Sequence, residues 1–206
     1  MGQEYPGSCQ LCGHEGSRSE MAGHVAECGQ RHDKGSRSDH LVVLQVEAEG
    51  APEYWLIVEG REKASLQQLD SLLRRVWLEC CGHMSAFRLG RTELSKRSAL
   101  ASLQAKGVAF QYEYDFGSTT ALKGKVVRYR EGSLGRQVVR VLARNVAPKL
   151  ECAECGEPAT LVCPFCVDSG PFLFCAAHAP GHPCADEDAF MPTVNSPRMG
   201  VCGYTG

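Results

Sequence analysis

The segment LECAECGEPATLVCPFCVDSGPFLFCAAHAPGHPC, residues 150–184, holds six cysteines and two histidines with almost no apolar periodicity. Its ligand-bearing residues run Cys152-x2-Cys155-x7-Cys163-x2-Cys166-x8-Cys175-x2-His178-x3-His182-x1-Cys184. Two thiolates separated by two residues reach one ion from a tight turn, so each such pair is half of a tetrahedral zinc site. The halves alternate along the chain in a cross-braced order. Cys152, Cys155, Cys175 and His178 are assigned to one ion. Cys163 and Cys166 are assigned to a second, completed by two of His182, Cys184 and Cys202. Protein can fill every position, which marks structural zinc, because a catalytic site keeps one position open for water. Zinc worth roughly 10–16 kcal/mol in small domains would supply the cohesion that so few apolar residues cannot.

The other end of the chain repeats the pattern. Cys9-x2-Cys12-x11-His24-x3-Cys28 fits a single four-ligand finger. SEMAGHVAEC (19–28) reads as a short helix presenting His24 and Cys28 one turn apart, with His14 and His32 as substitutes. About three Zn2+ ions per chain are therefore expected. The competing reading is a disulfide framework, against which the paired thiols and interspersed histidines argue. Cys80 and Cys81 lack a partner pair nearby and read as small apolar residues at a helix end.

Other chemistry is weaker. Asp115-Phe116-Gly117 has the letters of the kinase metal triad, but no glycine-rich phosphate loop or HRD element accompanies it. His83, Ser85, Tyr112, Tyr114 and Asp115 would gather if the strands carrying them were neighbours. His83, Tyr114 and Asp115 are then candidates for acid–base catalysis, against the alternative of a polar cluster that locks the sheet. Lys123, Lys125, Arg128, Arg130, Arg136, Arg140 and Arg144 form a basic ribbon suited to phosphates. Arg140 and Arg144 alternate with Val139, Val141 and Ala143, so both are expected to be exposed.

These groups must be held by ordinary elements. The chain has 206 residues with a net charge of −2, which gives no global field toward nucleic acid. Charge is instead segregated. Residues 123–149 hold eight basic residues and one acid, and residues 150–206 hold seven acids and one base. The opening MGQEYPGSCQ has no apolar run, and nothing approaches the roughly 18 apolar residues of a membrane span. A soluble, cytoplasmic protein with reduced thiols is expected, with no membrane partner.

LVVLQVEA (41–48) and EYWLIVE (53–59) read as strands, followed by a helix opened by Ser65 and Gln68 as a capping box. Leu66, Leu69, Leu72, Leu73, Val76 and Trp77 give it one apolar stripe, and Gly82 ends it. Further strands are expected at 84–90, 109–117, 121–130 and 136–144, with a second, shorter helix at 96–107. In AFQYEYDFG (109–117), Phe110, Tyr112, Tyr114 and Phe116 share one face. The expected class is α+β: a mostly antiparallel curved sheet with two helices, flanked by an N-terminal finger and a C-terminal two-zinc module. The expected domains are a finger at 1–32, a linker at 33–40, a core at 41–147 and a Cys/His-rich module at 148–206.

GHMSAFRLG (82–90), FQYEYDFGSTTALKGKVV (110–127), LARN (142–145) and NSPRMGVCGYTG (195–206) together resemble the plasmid pRiA4b ORF-three-like family, whose relatives include insertion-element passenger proteins. The resemblance covers about residues 41–206. It implies a curved sheet with helices packed on it and a Cys-rich tail that accompanies the core in one branch. The family pattern often reads YDFGD followed by a Trp. Here it is YDFGSTT, so a role tied to that Asp does not carry over. The cross-braced spacing also resembles that of B-box and related treble-clef modules. The resemblance implies a fold and no particular activity. The finger, the ribbon and the tail point to a non-enzymatic binding or regulatory adaptor contacting DNA, RNA or protein, with an acid–base enzyme as the alternative.

Overall fold

A computed structural model describes residues 5–35, 38–103, 109–184 and 190–206. They form two compact units, Met1–Arg75 with Met84–Val146, and Val76–His83 with Ala147–Gly206. No helix among the described residues is long and apolar enough to cross a membrane.

The first unit is built on nine strands: β1 (Pro6–Cys9), β2 (Glu15–Ser17), β3 (Asp39–Ala48), β4 (Ala51–Arg61), β5 (Ser85–Leu89), β6 (Thr92–Leu94), β7 (Phe110–Tyr114), β8 (Thr120–Gly132) and β9 (Val139–Asn145). They lie in the order β2-β1-β9-β4-β3-β8-β7-β5-β6, each neighbour antiparallel. Among the described residues two α-helices, α1 (Arg18–Arg31) and α2 (Leu66–Leu73), complete the α+β class that the sequence pattern implies.

Strand alternation sends successive side chains of β4 to opposite faces. Trp55 and Ile57 join Val43, Leu142 and Ala143 under Met21, Val25 and Cys28 of α1. Leu56 and Val58 are equally buried on the other face. There α2 is tied down by a carboxylate. Asp70 is 1% exposed; it accepts hydrogen bonds from Tyr112 Oη of β7 at 2.8 Å and Ser85 Oγ of β5 at 2.5 Å, and pairs with Lys96 and Arg74. Burial opposes ionisation of Asp70, but these donors prevail and hold its carboxyl below the usual aspartate value.

The helices differ from expectation. The α-helix opened by Ser65 stops at Leu73 and continues as a π-helical turn, Arg74–Leu78. The segment expected as a second helix forms a single 3-10 turn, Leu100–Leu103, with residues 104–108 outside the described part. Leu100 and Leu103 are both buried, and a turn that stacks i on i+3 places them on one side. The fold's second helix is α1, within the N-terminal segment. Its Ser17–Glu20 capping box is complete.

That N-terminal segment does not stand apart from the core. β1 pairs with β9 through Gly7↔Asn145 and Cys9↔Ala143. Gly7 lies so close to the sheet that a Cβ would fall 2.2 Å from the Trp55 ring. The stretch expected as a linker is engaged as well. Asp33 pairs with Arg130, Lys34 bridges Leu134, and Asp39 and His40 begin β3.

The second unit has little regular structure. β10 (Leu161–Val162), β11 (Leu173–Phe174) and β12 (Met191–Pro192) form a small sheet in the order β11-β10-β12. Its small core gathers Cys152, Cys163, Phe174 and Ala179, with Leu161 and Phe190 packed alongside. Ser196 Oγ donates to the carbonyl of Trp77 at 2.6 Å, fastening the loop around Ser196 to the 76–83 segment.

Candidate metal centres

Four sets of Cys and His side chains converge so that the ligand atoms within each set all lie within 4.8 Å of one another. They are Cys9, Cys12, His24 and Cys28; Cys152, Cys155, Cys175 and His178; Cys163, Cys166, His182 and Cys184; and Cys80, Cys81, His83 and Cys202. No disulfide joins any of the twelve cysteines. Tetrahedral zinc with bonds of about 2.3 Å to sulfur and 2.0–2.1 Å to nitrogen has S···S edges of about 3.8 Å and S···N edges of about 3.6 Å. Those edges are the measure for each set.

In the first set Cys9 Sγ lies 3.7 Å from Cys28 Sγ, and Cys12 Sγ 3.2 Å from His24 Nε2. Cys9 ends β1, and the chain turns back at Gly13, whose φ is +77°. Gly13 N–H donates to Cys9 O at 2.9 Å, and Cys9 N–H donates to His14 O at 2.8 Å. His24 and Cys28 come from α1, four residues apart on one helical face. His14 stacks on His24 with ring centroids 4.4 Å apart. His32 directs Nδ1 toward Cys28 O at 2.9 Å, with Cys28 Sγ at 3.5 Å.

The Cys152–Cys155 turn repeats the same backbone device. Gly156, with φ +74°, donates to Cys152 O at 2.9 Å, and Cys152 N–H donates to Glu157 O at 2.7 Å. Facing it, His178 Nδ1 lies 3.3 Å from Cys175 Sγ and 3.7 Å from Cys152 Sγ, and Cys155 Sγ lies 4.0 Å from Cys175 Sγ. In the third set Cys166 Sγ lies 3.3 Å from His182 Nε2 and 4.0 Å from Cys184 Sγ. The His182 ring is held against Phe174, centroids 4.6 Å apart. Of the three residues left open to complete this set, His182 and Cys184 are present and Cys202 is not. The two sets interleave along the chain in the cross-braced order.

Electrostatics inside the sets favours a cation. Burial, then the neighbouring Cys12 and Cys9, push the Cys28 thiol up to about 12. Burial, then Cys163 and Cys166, push Cys184 up to about 11. Burial also opposes ionisation of Cys152, but the backbone amides of Cys175, Glu154 and Cys155 outweigh it and bring that thiol down to about 6. Sulfurs this close cannot all ionise against one another, and a bound dication removes that opposition.

Cys202 belongs to the fourth set, with Cys80, Cys81 and His83. Expecting Cys80 and Cys81 to be inert apolar residues missed this set. Its fourth member, Cys202, lies more than a hundred residues of sequence from the other three, so local spacing does not complete the set. The CCGH run at 80–83, a thiol pair two residues before a histidine, was the available hint.

Of the three acid–base candidates, His83 lies in the fourth set and the other two lie outside it. His83 Nε2 faces Cys81 Sγ at 2.9 Å and Cys202 Sγ at 3.3 Å. Tyr114 is fully buried with the Arg74 guanidinium over its ring, 5.0 Å from the centroid. Asp115 is buried at φ +64°, its Oδ1 accepting from Gly117 N–H at 2.9 Å. The alternation of β7 ends at that turn, which leaves Phe116 exposed and off the face of Tyr112.

The basic ribbon is divided by a buried carboxylate. Glu59 is 0% exposed and binds Arg140 through Nε at 2.7 Å and Arg130 through Nε at 2.9 Å. Arg130 also pairs with Asp33 at 2.9 Å. Burial opposes the charge on Arg130, but Asp33 and Glu59 raise its pKa further. Arg140 donates to His32 O and Gly29 O, carbonyls at the C-terminal end of α1 where the helix dipole favours a cation. Arg130 and Arg140 are therefore structural, contrary to the expected exposure of Arg140. Arg144 is half-buried, Lys123 is exposed and pairs with Glu47 at 3.0 Å, and Lys125 and Arg128 are exposed.

The fold and these sets define an α+β protein with clusters able to hold metal ions. No protein-family model matches the chain. No curated protein matches it either. Among solved structures it is similar to a protein of unknown function from Methanosarcina mazei Go1, at 16% identity and a TM-score of 0.45, over 52% of this chain and 69% of that one.

Proposed function

We propose that this is a non-enzymatic binding protein whose N-terminal segment and second unit are held by structural zinc. One ion is assigned to Cys9, Cys12, His24 and Cys28, one to Cys152, Cys155, Cys175 and His178, and one to Cys163, Cys166, His182 and Cys184. The observation that carries this is the convergence of four protein ligands in each set with near-tetrahedral edges. Such sets leave no position for a reacting water. Zinc suits mixed thiolate and imidazole ligands better than the hard cations do. The Cys-rich segment of the second unit, whose buried cluster is Cys152, Cys163, Phe174 and Ala179, depends on the metal for cohesion.

The partner that suits the exposed chemistry is a nucleic acid, met by Lys123, Lys125 and Arg128 on β8. The similarity of the core segments to the pRiA4b ORF-three-like family fits an antiparallel sheet carrying helices, and membership in that family is part of the proposal. An acid–base enzyme finds no support, since Tyr114 and Asp115 are buried and His83 faces thiols.

Metal content of protein purified without chelator, measured by elemental mass spectrometry, tests the zinc assignment. A chain without zinc refutes it. Titration with mixed-sequence DNA and RNA at several salt concentrations tests the partner. Binding should weaken with salt, and Lys125→Ala and Arg128→Ala should each reduce the log–log salt slope by about 1. Absent or salt-insensitive binding leaves a protein partner.

A further inference from the structure

We infer that Cys80, Cys81, His83 and Cys202 form a fourth zinc site, the most exchangeable of the four, which clamps the turns around Cys202 to the 80–83 turn. It rests on the same thiolate–imidazole chemistry as the three structural sites, but on separate residues. Cys81 Sγ lies 3.7 Å from Cys80 Sγ and 3.6 Å from Cys202 Sγ. His83 Nε2 lies 3.3 Å from Cys202 Sγ and 2.9 Å from Cys81 Sγ. The sulfur separations match the edge of about 3.8 Å expected around zinc and far exceed a disulfide bond of about 2.05 Å, while His83 sits closer to both sulfurs than the S···N edge of about 3.6 Å. A disulfide would also give His83 no reason to point its ring nitrogen at the same sulfurs.

The backbone is shaped for this convergence. Gly82 has φ +79° and donates its N–H to Glu79 Oε1 at 2.6 Å, which turns Cys81 and His83 to one side. Cys202 has φ +51°; among the described residues only it and Asp115 are non-glycines with positive φ. A side chain disfavours that conformation, and such strain collects at ligand clamps. Gly200 and Gly203, at φ +79° and +69°, bend the chain on either side. Ser196 supplies the anchor: its Oγ accepts from Arg198 N–H at 2.9 Å while donating to Trp77 O.

The site differs from the others in exposure. Each of the other three sets has at least one buried sulfur: Cys9 and Cys28, Cys152, or Cys163. In the fourth, Cys81 and Cys202 are exposed, and Cys80 and His83 are half-buried. An incoming ligand must reach the ion to displace a thiolate, so exchange is fastest where no sulfur is covered.

The test uses the full chain loaded with zinc and challenged with a chromogenic chelator. Native mass spectrometry should count four ions in the wild type and three in Cys202→Ser. Release should be biphasic, with one equivalent leaving first, and that phase should vanish in Cys202→Ser. His83→Cys should keep four ions. When loaded with Co2+, it should show stronger sulfur-to-metal charge-transfer absorption than the wild type, which guards against simple misfolding of the serine variant. Equal counts in wild type and Cys202→Ser, or a fast phase that persists in that variant, overturns the site. A wild type that binds one ion lost in Cys202→Ser, with none elsewhere, would keep this site and refute the three structural ones.

Discussion

Glu59→Gln should destabilise the first unit by about 3–5 kcal/mol, the cost of leaving buried charge without its partner. The Glu59 carboxylate is fully buried between Arg130 and Arg140, each with a side chain only 5% exposed. One of its oxygens meets Arg140 Nε at 2.7 Å and Nη2 at 2.5 Å, and the other meets Arg130 Nε at 2.9 Å. With glutamine, two guanidiniums would share only one negative charge, Asp33, whose side chain is 24% exposed and 3.9 Å from Arg140. Arg140 also donates to carbonyls at the end of α1, so its displacement would loosen the helix that carries His24 and Cys28. Hydrogen exchange of the β3–β4 hairpin, followed by mass spectrometry, reads this unit separately from the other. A loss of 3–5 kcal/mol corresponds to exchange faster by about a hundredfold to a few thousandfold, at 1.4 kcal/mol per tenfold. Replacing Glu59, Arg130 and Arg140 together by apolar residues of similar volume should recover most of the loss. A Glu59→Gln protein whose hairpin exchanges within threefold of the wild type would show that the carboxylate is not the hub of this network.

Tyr112→Phe removes the 2.8 Å hydrogen bond to the buried Asp70 carboxylate and should cost about 1.5–3 kcal/mol in urea unfolding. Because the folded pKa of Asp70 is depressed, its stabilisation is present above the ordinary aspartate value of 3.8 and lost as pH falls through the folded value. Asp70→Asn should therefore flatten the acid limb of a stability–pH profile, and an unchanged limb would contradict that origin. Gly124→Ala places a Cβ 2.2 Å from the Phe110 ring and should lower stability by about 1–3 kcal/mol, with Phe110→Leu in the same chain restoring part of it by thermal unfolding. Chelation at neutral pH should abolish exchange protection in β10, β11 and β12 while β3 and β4 stay protected; unchanged protection in the small sheet would refute its dependence on metal.

What the sequence displays depends on how local the cause is. LVVLQVEA and EYWLIVE are short, nearly continuous apolar runs, as strands covered on both faces are, and β3 and β4 form there. The three ligand sets built from CxxC-like pairs were legible because a tight turn fixes both donors. The fourth set was not, because Cys202 joins Cys80 and Cys81 only through tertiary folding. Arg140 looked exposed by alternation, but a period of two shows which face a residue takes and not what covers it. Here α1 covers it, and the covering helix lies in a segment that reads as a separate finger. In the described part of 96–107, Leu100 and Leu103 sit in a 3-10 turn, whose i, i+3 spacing an α-helix shares, and propensity alone does not separate the two.

The nine-stranded sheet ends on both sides in a strand of three residues, β2 and β6. Such stubs offer a second chain very little backbone to pair with, which is how β proteins resist sticking to one another. On one side the stub survives only while β1 and β2 keep their hairpin, and the ligands Cys9 and Cys12 sit at and just beyond the end of β1. Were that hairpin to open, β9 would become the border: seven residues, VRVLARN, with an apolar face and unspent hydrogen-bonding groups. If Cys9 and Cys12 hold an ion as proposed, removing it should free that border for pairing between copies of the chain.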